Sequence, residues 1–160
     1  MRRNRSGRSK RNQRSSKISE HFSRRDFVCK CGTCKESIRL SLGLVGGLEL
    51  LRNMAQNRIN ILKGYICPEE AEKTNSLKRN YHTQGIAAEI TVDTKDIRDV
   101  FLLAEQIPEF MGIGLDLTKQ CIHVDTRKAE KRELWVMDGI TQIELTADNR
   151  SKYFDGHGNA

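Results

Sequence analysis

Little in this sequence is apolar. Hydrophobic residues make up 37% of the 160 and aromatic residues 6%, and no apolar run approaches the roughly 20 residues that a membrane-crossing helix needs. The first seventeen positions, MRRNRSGRSKRNQRSSK, lack acidic residues altogether. They have the basic flank of a signal peptide without its apolar segment, so neither export nor membrane spanning is encoded in a recognisable form. By sequence alone the expected location is cytoplasmic. No aromatic residues interleave these basic ones to stack on bases, so no specific nucleic acid is expected as a partner. No internal repeat is visible.

What the first seventeen residues do have is charge. They carry eight Lys and Arg, more than the whole chain's net charge of +7. Residues 1–17 are therefore read as a disordered basic tail, either a solubilising arm or a tether to anionic polymers. Residues 18–150 hold enough sequence for one domain, and 151–160 read as a flexible C-terminal tail in which Tyr153 and Phe154 are the only docking candidates.

Phe22 and Phe27 are apolar anchors in an otherwise polar opening segment. From Glu36 to Gln56 apolar residues recur at helical spacing, and Gly43, Gly46 and Gly47 within that run point to close packing against a neighbour. Arg58 to Leu62 reads as a strand, followed by Gly64, Pro68 and a polar loop reaching Tyr81. Ala87 to Val92 is a second strand. Asp93 or Thr94 is the expected cap of a helix carrying Ile97, Val100, Phe101, Ala104 and Ile107, which Pro108 stops. Two short strands are expected at Ile113 to Leu117 and Cys121 to Asp125. Together these predict an α+β domain: a small, mainly antiparallel sheet with flanking helices. Trp135, Phe101 and Phe110 read as core, and His21 and His157 as solvent-exposed.

His82 ends the polar loop, Glu89 lies on the strand after it, and His123 sits in the middle of a late strand. Two imidazoles and a carboxylate suit a catalytic zinc ion with one open position, although isolated residues of these types are more often plain polar side chains. The run Asn80, Tyr81, His82, Thr83, Gln84, Gly85, Ile86, Ala87, Ala88, Glu89 resembles the S-x-H-x-x-G-x-A-x-D signature of the zinc D-Ala-D-Ala carboxypeptidases and murein endopeptidases. MGIGLDLTKQCIHVDTR, followed by Trp135, resembles the second half of that pattern. ISEHFSRRDFVCKCGTC and LKGYICP resemble the opening and the G-Y-R-C-P turn of the family's smaller members.

The resemblance implies a hedgehog-like or D-Ala-D-Ala-peptidase-like fold with a Zn2+ site on one face of the sheet, held by His82, Glu89 and His123. It implies Asp125 as the catalytic proton carrier or as the residue that orients a ligand. It implies peptidoglycan stem peptides as substrate and a place in the cell envelope. Asn80, Tyr81 and Tyr65 are substrate-binding candidates beside the site, and Arg127, two residues after Asp125 and so on the same side of a strand, would either pair with that carboxylate or bind substrate. The chain departs from the pattern at four positions. Glu89 replaces the metal-binding Asp, Ile66 the Arg of G-Y-R, Asn80 the Ser before the first histidine, and Gln120 the acid three residues before the last histidine. A non-catalytic relative that binds wall peptides or a protein is the alternative expectation.

Cys29, Cys31 and Cys34 form a C-x-C-x-x-C cluster. With Cys67 or His21 they could build a second metal site; the other reading is a disulfide from Cys29 or Cys31 to Cys67.

Overall fold

The computed structural model describes residues 17–34, 38–74 and 80–156. The expected basic tail up to Ser16, and His157, lie outside them. Among the described residues are five helices: α1 (Arg24–Phe27), α2 (Leu42–Ala55), α3 (Pro68–Lys73), α4 (Ile97–Ala104) and α5 (Ala147–Phe154). The strands are β1 (Ile59–Lys63), β2 (Ala87–Val92), β3 (Gly112–Asp116), β4 (Cys121–Asp125), β5 (Glu133–Asp138) and β6 (Thr141–Glu144), in the sheet order β1-β2-β4-β3-β5-β6. Every pairing is antiparallel except β3 with β5. This is the α+β architecture with a mainly antiparallel sheet that the sequence predicts.

Alternation along the strands separates two faces. Ala88, Ile90, Ile113, Leu115, Ile122, Val124 and Val136 point into one core together with Leu44, Leu48 and Leu51 of α2 and Val100 and Phe101 of α4. The opposite face carries the intervening residues. Gly47 on α2 does sit in a close packing site, since a Cβ there would lie 2.6 Å from the Phe110 ring, whereas Gly46 faces open space.

Several boundaries differ from the sequence reading. α2 begins at Leu42, not Glu36, because Ser41 is extended and its hydroxyl accepts from the Leu44 amide. Arg39 and Leu40 lie against Gly85, and the Ser41 amide bonds to the Gly85 carbonyl. The helix after β2 is capped by Asp96, whose carboxylate accepts from the Arg98 amide, and not by Asp93 or Thr94. Asp93 instead takes a hydrogen bond from Asn60, and Thr94 occupies a turn at φ 60°. Pro68 opens α3 within the stretch expected to be a loop.

β5 and β6, joined through Gly139 at φ 63°, complete the sheet. The expected flexible end at 151–160 is, as far as Phe154, the last part of α5. There Tyr153 is buried, its carbonyl accepts from Arg98 Nε, and the Phe154 ring lies 5.3 Å from that of Phe101.

Candidate functional site

Strand register draws the site together. On the face away from the main core, Lys63 pairs with Glu89, Glu89 with His123, His123 with Gly114 and Gly114 with Trp135, forming one row across five strands. Gly114 is glycine because the Trp135 ring leans over it: a Cβ would lie 2.4 Å from the indole. Gly112 likewise leaves room for Asp125 and Arg127, whose side-chain atoms would stand within 2.7 Å of a Cβ.

His82 joins this row from the turn that begins at Asn80. The Asn80 side chain accepts from the Thr83 amide at 3.0 Å, and Gly85 closes the turn at φ 71°. His82 Nδ1 lies 2.8 Å from the Gly64 carbonyl oxygen. A carbonyl can only accept, so Nδ1 carries the proton and Nε2 presents a lone pair. Burial, with the neighbouring His123 charge, lowers the His82 pKa to about 4 against the partial support of the Gly64 carbonyl. The ring is therefore neutral at pH 7.

His123 Nε2 lies 2.8 Å from Asp125 Oδ2. Donation to that carboxylate leaves Nδ1 as the free lone pair. Asp125 is fully buried, and Arg127 grips it twice, Nε to Oδ1 at 2.8 Å and Nη2 to Oδ2 at 2.7 Å. Burial alone would raise the carboxyl's pKa, but the Arg127 and His123 hydrogen bonds outweigh it and hold the group well below the usual carboxylate range. Arg127 is itself stacked on Tyr81, with its guanidinium carbon 4.2 Å from the ring centroid.

The resulting cavity, about 460 Å³, is lined by Asn80, Tyr81, His82, Glu89, His123 and Trp135 among others. Of the residues picked from sequence, Asp125 and Arg127 stand behind this wall, and Tyr65 faces a separate neighbouring cavity. Sequence reading missed Lys63 and Lys119, each with its ammonium 3.6 Å from a Glu89 oxygen. It also placed Trp135 in the core, whereas the indole is half-buried, 5.2 Å from the His123 ring. Period-two alternation in EIT and IHVD was the available signal for Glu89 and His123 sharing a face. Nothing in the sequence places Lys63 there before the pairing of β1 with β2 is known.

Can these residues hold a metal? His82 Nε2 stands 3.9 Å from Glu89 Oε1, somewhat wider than the roughly 3.4 Å edge of a tetrahedron with bonds of about 2.1 Å. Both imidazoles have the outer hydrogen bond that metal-binding histidines use to fix tautomer and ring direction. The donor set therefore fits zinc in type, with closer approach of the side chains required. Among the described residues, the group whose ligand atoms all lie within 4.8 Å of one another is a different one, Cys29, Cys31, Cys34 and Cys67; His82, Glu89 and His123 do not form a second.

That cysteine cluster could hold a metal ion such as zinc. All four thiols are free, so the alternative disulfide from Cys29 or Cys31 to Cys67 is not formed. Cys67 takes the fourth place, while His21 bonds to Glu49 at 2.7 Å. Hydrogen bonds from Thr33 and the Cys34 amide bring the Cys31 thiol down to about 5, and the same cluster pushes Cys34 up to about 12. No helix among the described residues is long and apolar enough to cross a membrane. Comparison of the chain with protein-family models, with curated proteins and with solved structures finds no match.

Proposed function

We propose that the chain is a zinc-dependent peptidase acting on peptidoglycan stem peptides, with a fold of the D-Ala-D-Ala peptidase type. The observation that carries this reading is the complementary pair of histidines on the cavity wall, His82 tied by Nδ1 to a carbonyl with its Nε2 3.9 Å from Glu89, and His123 tied by Nε2 to a carboxylate. Two oriented imidazoles and a carboxylate on a cavity wall are a donor set for a three-ligand catalytic metal. Zinc bound there would polarise a peptide carbonyl and bring the pKa of a water to about 7.

The chain's own residues supply the rest. Asp125, locked by Arg127, orients His123; its depressed pKa makes it a poor proton acceptor, so the geometry favours the orienting role over the proton-carrying one. Trp135 and Tyr81 offer apolar walls to the substrate. Lys63 and Lys119 give the cavity cationic groups that suit a substrate rich in carboxylates.

Those same lysines favour the second reading, a pocket that binds an anionic wall peptide or protein segment without turnover, because they already neutralise Glu89. Zinc content decides between the two. In the peptidase reading, the double variant His82→Ala, His123→Ala loses about one equivalent of zinc together with hydrolysis of stem peptides. Unchanged zinc content in that variant would leave the binding reading standing.

A further inference from the structure

We propose that Cys29, Cys31, Cys34 and Cys67 form a structural zinc clamp that fastens the N-terminal segment to the Gly64 turn and thereby positions His82. Two of the separations between sulfurs carry the first part: Cys67 Sγ is 3.8 Å from both Cys29 Sγ and Cys31 Sγ. Sulfurs in a disulfide are about 2.05 Å apart. A tetrahedral ion with Zn–S bonds of about 2.3 Å sets its ligands about 3.8 Å apart along each edge. Cys67 thus stands at tetrathiolate spacing from Cys29 and Cys31, and the four sulfurs all lie within 4.8 Å of one another.

A second observation is independent of these distances. The sulfurs receive hydrogen bonds that suit negative charge, from the Cys34 amide and the Thr33 hydroxyl to Cys31 at 3.3 and 3.5 Å, and from the Cys67 amide to Cys29 at 3.4 Å. Gly32, at φ 76° with nothing within 4 Å of its missing Cβ, provides the left-handed turn between Cys31 and Cys34. Binding exchanges the thiol protons for the metal, and those protons leave to solvent.

The clamp has structural work to do because the cysteines lie outside the main core. Cys29, Cys31 and Cys34 pack on a satellite cluster of Ile38, Tyr65 and Cys67 with half-buried Leu40, separate from the main core that holds Phe22 and Phe27. Two residues from Cys29, the Phe27 carbonyl accepts from the Tyr65 amide at 2.8 Å. Phe27 also presses so closely on Gly64 that a Cβ there would lie 2.7 Å from the Phe27 Cα. The next link is the Gly64 carbonyl itself, which takes the His82 Nδ1 proton. The clamp stands on the cysteines alone; its consequence for the pocket rests on the function proposed above.

Cobalt(II) substitution of the whole chain tests both parts. Expected is an intense thiolate-to-cobalt charge-transfer absorption with tetrahedral d–d bands, lost in Cys34→Ser and in Cys67→Ser and retained in His82→Ala, His123→Ala. Retention in the histidine variant combined with no peptidase activity in any form would sink the proposed function and leave the clamp intact. Wild-type protein without thiolate bands, or with them unchanged in both cysteine variants, overturns the clamp. Hydrogen exchange supplies the positioning readout: removing the metal from the cysteine cluster alone, by Cys67→Ser, should speed exchange at the Tyr65 amide and at His82 Nδ1–H while leaving the β3–β4 amides protected. Unchanged exchange at Tyr65 and His82 on metal removal would show that the clamp does not position His82.

Discussion

The cysteine cluster and the histidine pocket are two places where this chain gathers ligand atoms, and they are built in opposite ways. The cysteines come from one short loop and one turn, and their sulfurs all lie within 4.8 Å of one another. The pocket comes from five strands and a turn, its atoms are more widely set, and its charges are already answered: Glu89 by two lysines, Asp125 by Arg127. A loop can adapt to an ion because few contacts oppose it. Groups fixed by sheet register can be oriented rigidly, but the fold must then satisfy their charges by itself.

The clamp acts on the pocket through the Gly64 turn, while its own ligands make no contact with Asp125, so damage deep in the pocket should spare it. Asp125→Ala is the harshest test in the pocket. It leaves the Arg127 guanidinium without its buried carboxylate and should destabilise the domain by about 3–5 kcal/mol in urea titration, while cobalt-thiolate absorption in the folded fraction persists. Loss of that absorption would show that the two regions form one unit.

Acid provides the next largest effect, in metal-free protein. The His82 pKa lies at about 4 when folded and near 6.5 when unfolded. The unfolded chain therefore binds more protons between those values, so stability rises with pH across this window and the His82 contribution is complete above it. The rise should be on the order of 3 kcal/mol, read from denaturation midpoints at the two ends of the window. His82→Gln should flatten it, and an unchanged slope would mean that His82 is not the buried titrating group.

Gly114→Ala should cost about 1–3 kcal/mol, because the new methyl displaces the Trp135 indole over His123. Indole fluorescence should shift, with no change at the cysteines. The smallest effect on stability belongs to Lys119→Met, within about 1 kcal/mol, since the lysine side chain is 59% exposed. The same change removes a positive charge beside Glu89 and should tighten zinc binding in the pocket when measured by competition with a chelator. Weaker binding would argue that Glu89 is not a ligand.

The four strands from β1 to β4 and the helices α2 and α4 were legible because their apolar residues keep a steady period of two or 3.6. β5 and its hairpin partner β6 escaped detection because the outward residues Glu133, Trp135 and Met137 mix charge with apolar surface and β6 is mostly exposed. α5 escaped because only Tyr153 is buried along it. Its start rests on a polar contact, the Asn149 side chain on the Thr146 amide, with little apolar stripe to betray it. The start of α2 was placed too early because Ile38 keeps the helical spacing while packing in the satellite cluster beside Tyr65.

Cys29, Cys31 and Cys34 could be chosen from sequence because thiol chemistry and a C-x-C-x-x-C spacing are local properties, whereas His82, Glu89 and His123 were picked as a set on the resemblance of the motifs around them. Local spacing also determined the α+β class, through the alternation of strands with amphipathic helices. Only the tertiary structure decided that Cys67 completes the cysteine group, that Lys63 and Lys119 flank Glu89, that Arg127 locks Asp125 in place of facing the cavity, and that Trp135 roofs His123. Each of these depends on which strands or turns lie side by side. Such contacts are stabilised by burial and pairing summed over the whole domain, and no short stretch of the chain contains that sum.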